Sequence, residues 1–361
     1  MKVMIYGAGK RGRAIAEKWM GTQDCEITGF YDKEKTGTIM GIPVAKYEDG
    51  FRERPVIISV AKWKTVREIQ HDLLCAGYTK IYWFRKNLYD DTFRGQLEDT
   101  SIWDDAVLPQ AEMHLSDACN LNCRGCTHFS PLFHHIDADL ASRLADVEKL
   151  AGKFSRILYF YLLGGEPFLN PEICSYVEGV HKILPRTILT IVTNGLLIPK
   201  LPQEVLDCIR RTKTVVSISE YKPTHEIIGE ITARLEAAGV KYAIRPYDSK
   251  QLFNKPIEVV PSGRYPQKCI SDGCVNLYNG KIARCPTLMY AFKFNEAFGV
   301  HLPTEGIMDL DAAPEGKELL EKLEEPVPLC AHCIDHPMPW GRCDGKPTLD
   351  DFATAGRDAE A

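Results

Sequence analysis

The sequence predicts an α/β chain, with two parallel-sheet units in series closed by a small cysteine-rich segment. Three features point there. Short apolar runs alternate with helical patterns, as in VMIYG (3–7) before a helix ending near Met20, and PVIISVA (55–61) before KTVREIQHDLLCAGY (64–78). Glycine turns follow strands at Gly7-x-Gly9-x-x-Gly12 and at Gly164-Gly165. Nine of the 13 cysteines fall in two clusters, 119–126 and 269–343.

Residues 1–90 read as a small Rossmann-like parallel-sheet unit, with further strands at 26–32 and 80–84. Asp32 ends the second strand 20 residues after Gly12, the spacing of a dinucleotide fingerprint. The unit has about the size of one mononucleotide half. Binding of NAD, binding of another nucleotide such as a nucleotide sugar, and a structural role all stay open. Residues 91–110 are polar and read as a linker. Residues 111–250 alternate strands (112–117, 156–163, 187–192, 214–219, 240–245) with helices (138–152, 171–184, 202–211, 224–238), which means a parallel sheet with helical crossovers. Functional groups then gather at the strands' C-terminal ends. In 251–343 proline, glycine, asparagine and cysteine rise. LYNGKIARCP (277–286) reads as a hairpin turning at Asn279-Gly280. Residues 344–361 hold few large apolar side chains and read as a flexible, frayed tail.

The chain has 361 residues, 45% hydrophobic and 26% charged, with a formal net charge of −5. This balance offers no basic field for nucleic acid or a membrane surface. No apolar run approaches the ~18 residues of a membrane span, and MKVMIYGAGK lacks the features of a signal peptide. A cytoplasmic enzyme is expected. Cys25, Cys75, Cys174 and Cys208 stand alone and read as small buried hydrophobes. Clustered cysteines in a cytosolic chain favour metal or redox sites.

LSDACNLNCRGCTHFSPL (115–132) spaces Cys119, Cys123 and Cys126 as Cys-x3-Cys-x2-Cys directly after a strand. Three thiolates on a cubane cluster leave one iron open to another ligand. Zinc on three cysteines and His128 is the competing reading. One βα unit later, YLLGGEPFLN (161–170) brings Gly164, Gly165, Glu166 and Pro167 to a strand end, where backbone can approach a ligand closely beside one carboxylate.

Over about residues 111–250 this combination resembles the radical S-adenosylmethionine (SAM) superfamily, as do Thr193-Asn194-Gly195 and Ser217-Ile218-Ser219-Glu220. The resemblance implies a partial six-stranded (β/α) barrel, a [4Fe–4S] cluster on Cys119, Cys123 and Cys126, and SAM as cofactor. By position, it implies that Glu166 binds the SAM amino group, that Gly164 and Gly165, next to Pro167, offer backbone contacts, that Asn194 belongs to the cofactor site, and that Ser217 lies near the ribose or carboxylate. Two residues depart from the family pattern. Gly125 stands where relatives often carry an aromatic that packs on adenine, leaving Phe129 as a substitute, and Ser219 replaces the commoner aspartate.

The second cluster reads Cys269-x4-Cys274-x5-Gly280-x4-Cys285, then Cys330-x2-Cys333 and Cys343. A single structural zinc is one reading. The spacing is similar to the twitch/SPASM auxiliary domains, which implies a second [4Fe–4S] cluster on Cys269, Cys285, Cys330 and Cys333. Cys274 and Cys343 stay unassigned, with His332 and His336 nearby. Through IYGAGKRGRAIAEKW (5–19), ITGFYD (27–32), GIPV (41–44) and PVIISVA (55–61), residues 1–85 resemble the front domains of bacterial sugar acyltransferases and capsule-type sugar-modifying enzymes.

The expected function is radical SAM oxidation or epimerisation of a small-molecule substrate, a sugar or nucleotide sugar, with a flavodoxin- or ferredoxin-type electron donor. Peptide or protein modification and a non-catalytic zinc protein are the alternatives. Glu220 and Tyr221 are further candidates for acid/base or hydrogen-donor roles, and His134-His135 reads as a solvated pair.

Overall fold

The computed structural model describes residues 1–85, 87–134, 139–261, 269 and 273–354. The chain divides into two compact units, Met1–Asp104 and Asp105–Ala361.

The first unit is built on a seven-stranded sheet of β1 (Lys2–Tyr6), β2 (Glu26–Tyr31), β3 (Gly37–Ile39), β4 (Ile42–Ala45), β5 (Val56–Ile58), β6 (Ile81–Phe84) and β7 (Leu97–Asp99), ordered β3-β4-β2-β1-β5-β6-β7. Helices α1 (Lys10–Trp19) and α2 (Trp63–Cys75) lie in the connections from β1 to β2 and from β5 to β6. The pairs β4–β2, β2–β1, β1–β5 and β5–β6 are parallel. Fully buried Val3, Ile5, Phe30 and Ile57 fill the core, consistent with the apolar runs at these strands. Residues 91–104, expected as linker, instead contribute β7, which pairs antiparallel with β6 and extends the sheet.

Gly9 is the N-cap of helix α1, and a Cβ on Gly12 would sit 1.9 Å from the Gly7 carbonyl oxygen. The third glycine therefore serves close helix–strand packing. The Asp32 carboxylate accepts from Ala8 N–H (2.8 Å) through one oxygen and from the Glu34 and Lys35 N–H groups (3.0 Å each) through the other. It ties the glycine turn to the end of β2. Among the lone cysteines, Cys25 and Cys208 are buried and Cys174 half-buried, whereas Cys75 is exposed at the end of α2, contrary to expectation.

The second unit carries an eight-stranded sheet. In chain order its elements are β8 (Val107–Ser116), α3 (Leu140–Lys153), β9 (Arg156–Gly164), α4 (Ile173–Ile183), β10 (Ile188–Thr193), α5 (Gln203–Arg211), β11 (Val215–Ser219), α6 (Lys222–Glu226), α7 (Ile228–Ala237) and β12 (Tyr242–Arg245). There follow β13 (Leu252–Glu258), β14 (Val275–Tyr278), β15 (Lys281–Ala283), α8 (Pro286–Met289), α9 (Ala291–Phe298), β16 (Met308–Asp309), α10 (Gly316–Glu324), β17 (Cys333–Pro339) and β18 (Ala353–Thr354). The sheet runs β12-β11-β10-β9-β8-β14-β15-β16, and its first six strands are parallel. Apolar faces of α3, α4, α5 and α7 close on it through Val147, Val177, Leu206 and Ile231. Asp139 caps α3 by accepting from Ser142 N–H at 2.8 Å.

Two arrangements differ from the sequence reading. The sixth parallel strand, β14, comes from the segment assigned to the cysteine-rich domain, and it pairs with β8, more than 150 residues upstream. Asn279 and Gly280 both have positive φ (49° and 71°), as a tight hairpin turn between β14 and β15 requires. Residues 344–354 are also not a frayed tail. Phe352 is fully buried, and β18 pairs with β13 in a three-stranded sheet ordered β17-β13-β18. The rest of the expected tail, 355–361, lies outside the described residues.

Candidate functional site

Five successive parallel strands deliver their C-terminal ends to one cavity of roughly 670 Å3. Cys119, Cys123 and Cys126 come from the loop after β8, Gly164 and Gly165 from the end of β9, and Thr193 and Asn194 from the end of β10. Ser219 ends β11 and Arg245 ends β12. The parallel topology accounts for this gathering, because strands running one way put all their outgoing loops on one side.

The cysteine loop is fixed from both ends of the unit. Gly165 N–H donates to Ser116 O (2.7 Å) and Glu166 N–H to Ala118 O (3.0 Å). A Cβ on Gly164 would lie 2.0 Å from Ser116 O, and one on Gly165 2.2 Å from Ala118 O. The two glycines therefore admit the backbone entering the cysteine loop while also lining the cavity. From the far end of the chain, residues 340–351 lie along the loop. Arg124 N–H donates to Gly341 O (2.9 Å), Cys343 N–H to Asn122 O (2.8 Å) and Gly125 N–H to Asp351 O (2.7 Å), and the Arg124 guanidinium meets the Asp351 carboxylate at 2.8 Å. Gly125 has φ of 67°, a conformation that disfavours the aromatic common at this position in the resembling family. Phe129 does not replace that aromatic. It is fully buried against Phe294 and Phe352, away from the cavity. The aromatic side chains that line the cavity are Tyr161, Tyr221 and Phe253, with Trp340 stacked behind Tyr221 at 5.5 Å.

The sulfurs receive protein donors. Trp340 Nε1 donates to Cys123 Sγ (3.2 Å) and Leu121 N–H to Cys119 Sγ (3.4 Å). Burial pushes the Cys119 thiol up to about 12 and the Cys123 thiol higher. Burial also raises Cys126, but a hydrogen bond from His128 and its charge outweigh that and leave the thiol below its ordinary value. His128 is reciprocally held at about 9, because Cys126 and Glu112, 3.4 Å away, overcome the effect of its burial. Three thiols facing one cavity, two of them with N–H donors, suit a cluster that leaves one iron open. Among the described residues, no group of three or more His, Cys, Asp or Glu is placed to hold a single metal ion. A cubane asks for a different arrangement, with one thiolate on each of three irons.

Glu166 is placed otherwise than expected. Its carboxylate is fully buried and accepts from Phe168 N–H (3.1 Å), Thr193 Oγ1 (2.7 Å) and Asn194 N–H (3.0 Å). Burial raises it to about 7 against these donors. It fixes the turn that presents Asn194, whose side-chain amide donates to Asn120 Oδ1 at 2.7 Å. Pro167 and Ser217 are likewise buried behind the cavity wall. Ser219, two residues further along the same strand face than Ser217, lines the cavity instead. Glu220 is taken up by His225 Nδ1 (2.7 Å) and Tyr247 N–H (2.9 Å), while Tyr221 reaches the cavity. Sequence reasoning missed Gln110, Glu112, Tyr161, Arg245 and Lys250 as lining residues. Alternation along β8 and β9 was the available signal for the first three.

Cys269, Cys285, Cys330 and Cys333 form the second thiol group. Burial raises Cys285 and Cys333 to about 12 each. Cys285 also feels the charges of Cys269 and Cys330, and Cys333 those of all three others. Cys274 feels the charges of Cys285 and Cys269 as well, so five thiols lie within electrostatic reach, enough for the four ligands of a full cluster. His332 turns away, its Nδ1 2.9 Å from Glu258 O, and His336 lies on β17. Cys274 lines the cavity of the first thiol group, with its Sγ 3.7 Å from Gln110 Nε2. Cys343 is buried beside the loop of the first group, where it adds to the charge felt by Cys123. His134 is described, and His135 lies outside the described residues.

Residues 113–241 match the Radical SAM superfamily model, a domain whose enzymes use a [4Fe–4S] cluster and SAM. Among solved structures, the chain is similar to BtrN in complex with AdoMet and 2-DOIA, with 12% identity over 63% of this chain and 92% of that one and a TM-score of 0.38. It is similar to native anSMEcpe with bound AdoMet, with 17% identity over 38% of this chain and 44% of that one and a TM-score of 0.31. It is also similar to SuiB of Streptococcus suis bound to S-adenosylmethionine, with 19% identity, 38% and 32% coverage and a TM-score of 0.29. The match spans less than half the length of anSMEcpe. No curated protein matches the chain. No helix among the described residues is long and apolar enough to cross a membrane.

Proposed function

We propose that this chain is a radical SAM enzyme that abstracts hydrogen from a small-molecule substrate, a sugar or nucleotide sugar, with oxidation or epimerisation as the outcome. The observation that carries the reading is the placement of Cys119, Cys123 and Cys126 on one cavity with Gly164, Gly165 and Asn194, inside the domain matched by the family model. When bound, the cluster supplies the electron that cleaves SAM to a 5′-deoxyadenosyl radical.

The chain's own residues divide the remaining work. Gly164, Gly165 and Asn194 offer polar groups to the amino-acid end of SAM. Glu166 acts one step back, by holding Asn194 and the Pro167–Leu169 turn in place. Tyr221, backed by Trp340, adds an aromatic ring to the cavity wall. Cys269, Cys285, Cys330 and Cys333 would hold an auxiliary [4Fe–4S] cluster, which would supply an electron-accepting centre suited to a net oxidation. A flavodoxin- or ferredoxin-type protein is the electron donor. The sugar reading rests on the family-like front unit of residues 1–85.

The test is an anaerobic assay of reconstituted protein with SAM and dithionite. Formation of 5′-deoxyadenosine, stimulated by a sugar or nucleotide sugar and carrying hydrogen from it, supports the reading. Protein that binds zinc, shows no brown chromophore and makes no 5′-deoxyadenosine overturns it.

A further inference from the structure

The cavity holds two cations, Arg245 and Lys250, that no carboxylate of the described residues pairs with. Arg245 ends β12, and Lys250 ends the turn Tyr247–Lys250 that follows it. Both line the cavity together with Cys119, Cys123 and Cys126. Among the described residues, no carboxylate lies within ion-pair distance of either one. Lys250 is half-buried, with its ammonium 5.7 Å from the centre of the Tyr221 ring.

Of the acids among the described residues near them, Glu220 and Glu112 are engaged and Asp335 is exposed. Glu220 follows β11 next to Arg245, but its two oxygens are taken by His225 and by Tyr247 N–H. Glu112 accepts from Asn276 Nδ2 at 2.8 Å and faces His128. Asp335 lines the cavity but is solvent-exposed on β17. Arg245 is exposed and Lys250 half-buried; burial and the nearby Arg245 disfavour the charge on Lys250, Cys123 offsets this only in part, and an anion joining the two cations relieves it.

We propose that Arg245 and Lys250 dock a phosphoryl group of the substrate, so that the substrate is a phosphate or diphosphate ester. This deepens the functional reading above and rests on it. A planar guanidinium beside a mobile ammonium suits an oxyanion bearing more than one charge, whereas a lone carboxylate is matched by the guanidinium fork alone. The site is reached from β12, the edge strand opposite β14 in the six parallel strands. The anion is thereby anchored at one side of the cavity, and the rest of the molecule can extend toward Tyr161, Gln110 and Cys274.

The test uses the anaerobically reconstituted full chain with SAM bound, titrated calorimetrically with inorganic pyrophosphate and with UDP, uridine being the neutral control. Pyrophosphate and UDP are expected to bind one per chain and uridine not to bind. Arg245→Ala and Lys250→Ala are each expected to weaken pyrophosphate at least about tenfold, with SAM affinity changed far less and iron content unchanged. The proposal is overturned if the parent protein binds no pyrophosphate. It is also overturned if pyrophosphate binding survives in the double variant, which puts the anion elsewhere, for instance in the front unit. A loss of SAM affinity as large as the loss for pyrophosphate overturns it too, by assigning the cations to the SAM carboxylate. Pyrophosphate held at Arg245 by protein that cleaves no SAM keeps the anion site and removes the radical reading instead.

Discussion

Trp340 Nε1 donates a 3.2 Å hydrogen bond to Cys123 Sγ, joining residues 217 positions apart. The indole also stacks on Tyr221, so one side chain touches both a proposed cluster ligand and the cavity wall. Donors to ligand sulfurs favour the reduced, more negative cluster. Trp340→Phe keeps a ring and removes the donor. A hydrogen bond to a charged acceptor is worth about 1.5–3 kcal/mol, and the difference between oxidation states is a fraction of that. The midpoint potential should therefore fall by some tens of millivolts, where about 59 mV is a tenfold change for one electron. Redox titration followed by electron paramagnetic resonance measures it. A potential equal to the parent's contradicts the role given to the indole.

Gly165→Ala tests the close approach behind the cysteine loop. The added methyl meets Ala118 O at 2.2 Å, and that atom is backbone with no room to turn aside. Overpacking of this kind costs about 1–3 kcal/mol, and the displaced segment leads straight to Cys119. Iron bound at the first site should drop by more than half, with the circular dichroism of the chain retained. Full iron occupancy in this variant would mean the loop is not positioned through β9.

Much of this arrangement was legible in the sequence, and the rest was hidden for physical reasons. Strand–helix alternation gave the parallel sheet, and the three-cysteine loop with Gly164-Gly165 marked the cavity. The orientation of Glu166 was not legible, because a Gly-Gly-Glu-Pro turn can aim the carboxylate to either side and only the Thr193 and Asn194 donors decide. Ser217 and Ser219 share one strand face, so periodicity could not say which of them reaches the opening. The closing of the loop by residues 340–354 was invisible because its contacts are non-local. One aromatic among polar residues looks like a tail until its pocket is known.

That pocket gives the next prediction. Phe352 is fully buried against Phe129, Phe294 and Phe298. Phe352→Ala should destabilise the second unit by about 3–5 kcal/mol, read as a shift in the denaturant midpoint. Removing residues 344–361 should do the same and also lower iron content, since it takes away Asp351 from Arg124 and Gly125. A truncated chain with parental stability and iron would refute the strapping of the loop.

The Glu166 carboxyl predicts a dependence on pH. Burial raises it from an ordinary 4.5 to about 7. The folded state then holds a proton that the unfolded state has already released. The stabilisation is complete below about pH 4.5 and is lost as pH rises through 7, an excursion on the order of 3 kcal/mol. Glu166→Gln cannot titrate, and its amide nitrogen faces an N–H donor, so it starts at a deficit. In SAM-free protein that deficit should shrink between pH 5 and pH 8, as followed by thermal unfolding. Equal deficits at both pH values would show that the three donors, rather than burial, set the charge of Glu166.

Cys274 stands between the two thiol groups, lining the cavity of the first while feeling the charges of Cys285 and Cys269 in the second. Cys285 acts on Cys333 and is acted on by Cys269 and Cys330, whereas Cys274 faces the cavity beside Gln110. If the four-cysteine group holds its own cubane, the parent chain carries about eight irons and Cys285→Ala about four. The first cluster survives in that variant, so 5′-deoxyadenosine should still form while product formation stops, because the substrate radical has lost its electron acceptor. Cys274→Ala should keep about eight irons and change only the affinity for substrate. Iron and sulfide analysis with Mössbauer spectroscopy decides between these outcomes. Four irons in the Cys274→Ala chain would move Cys274 into the ligand set and leave one of Cys269, Cys330 and Cys333 free.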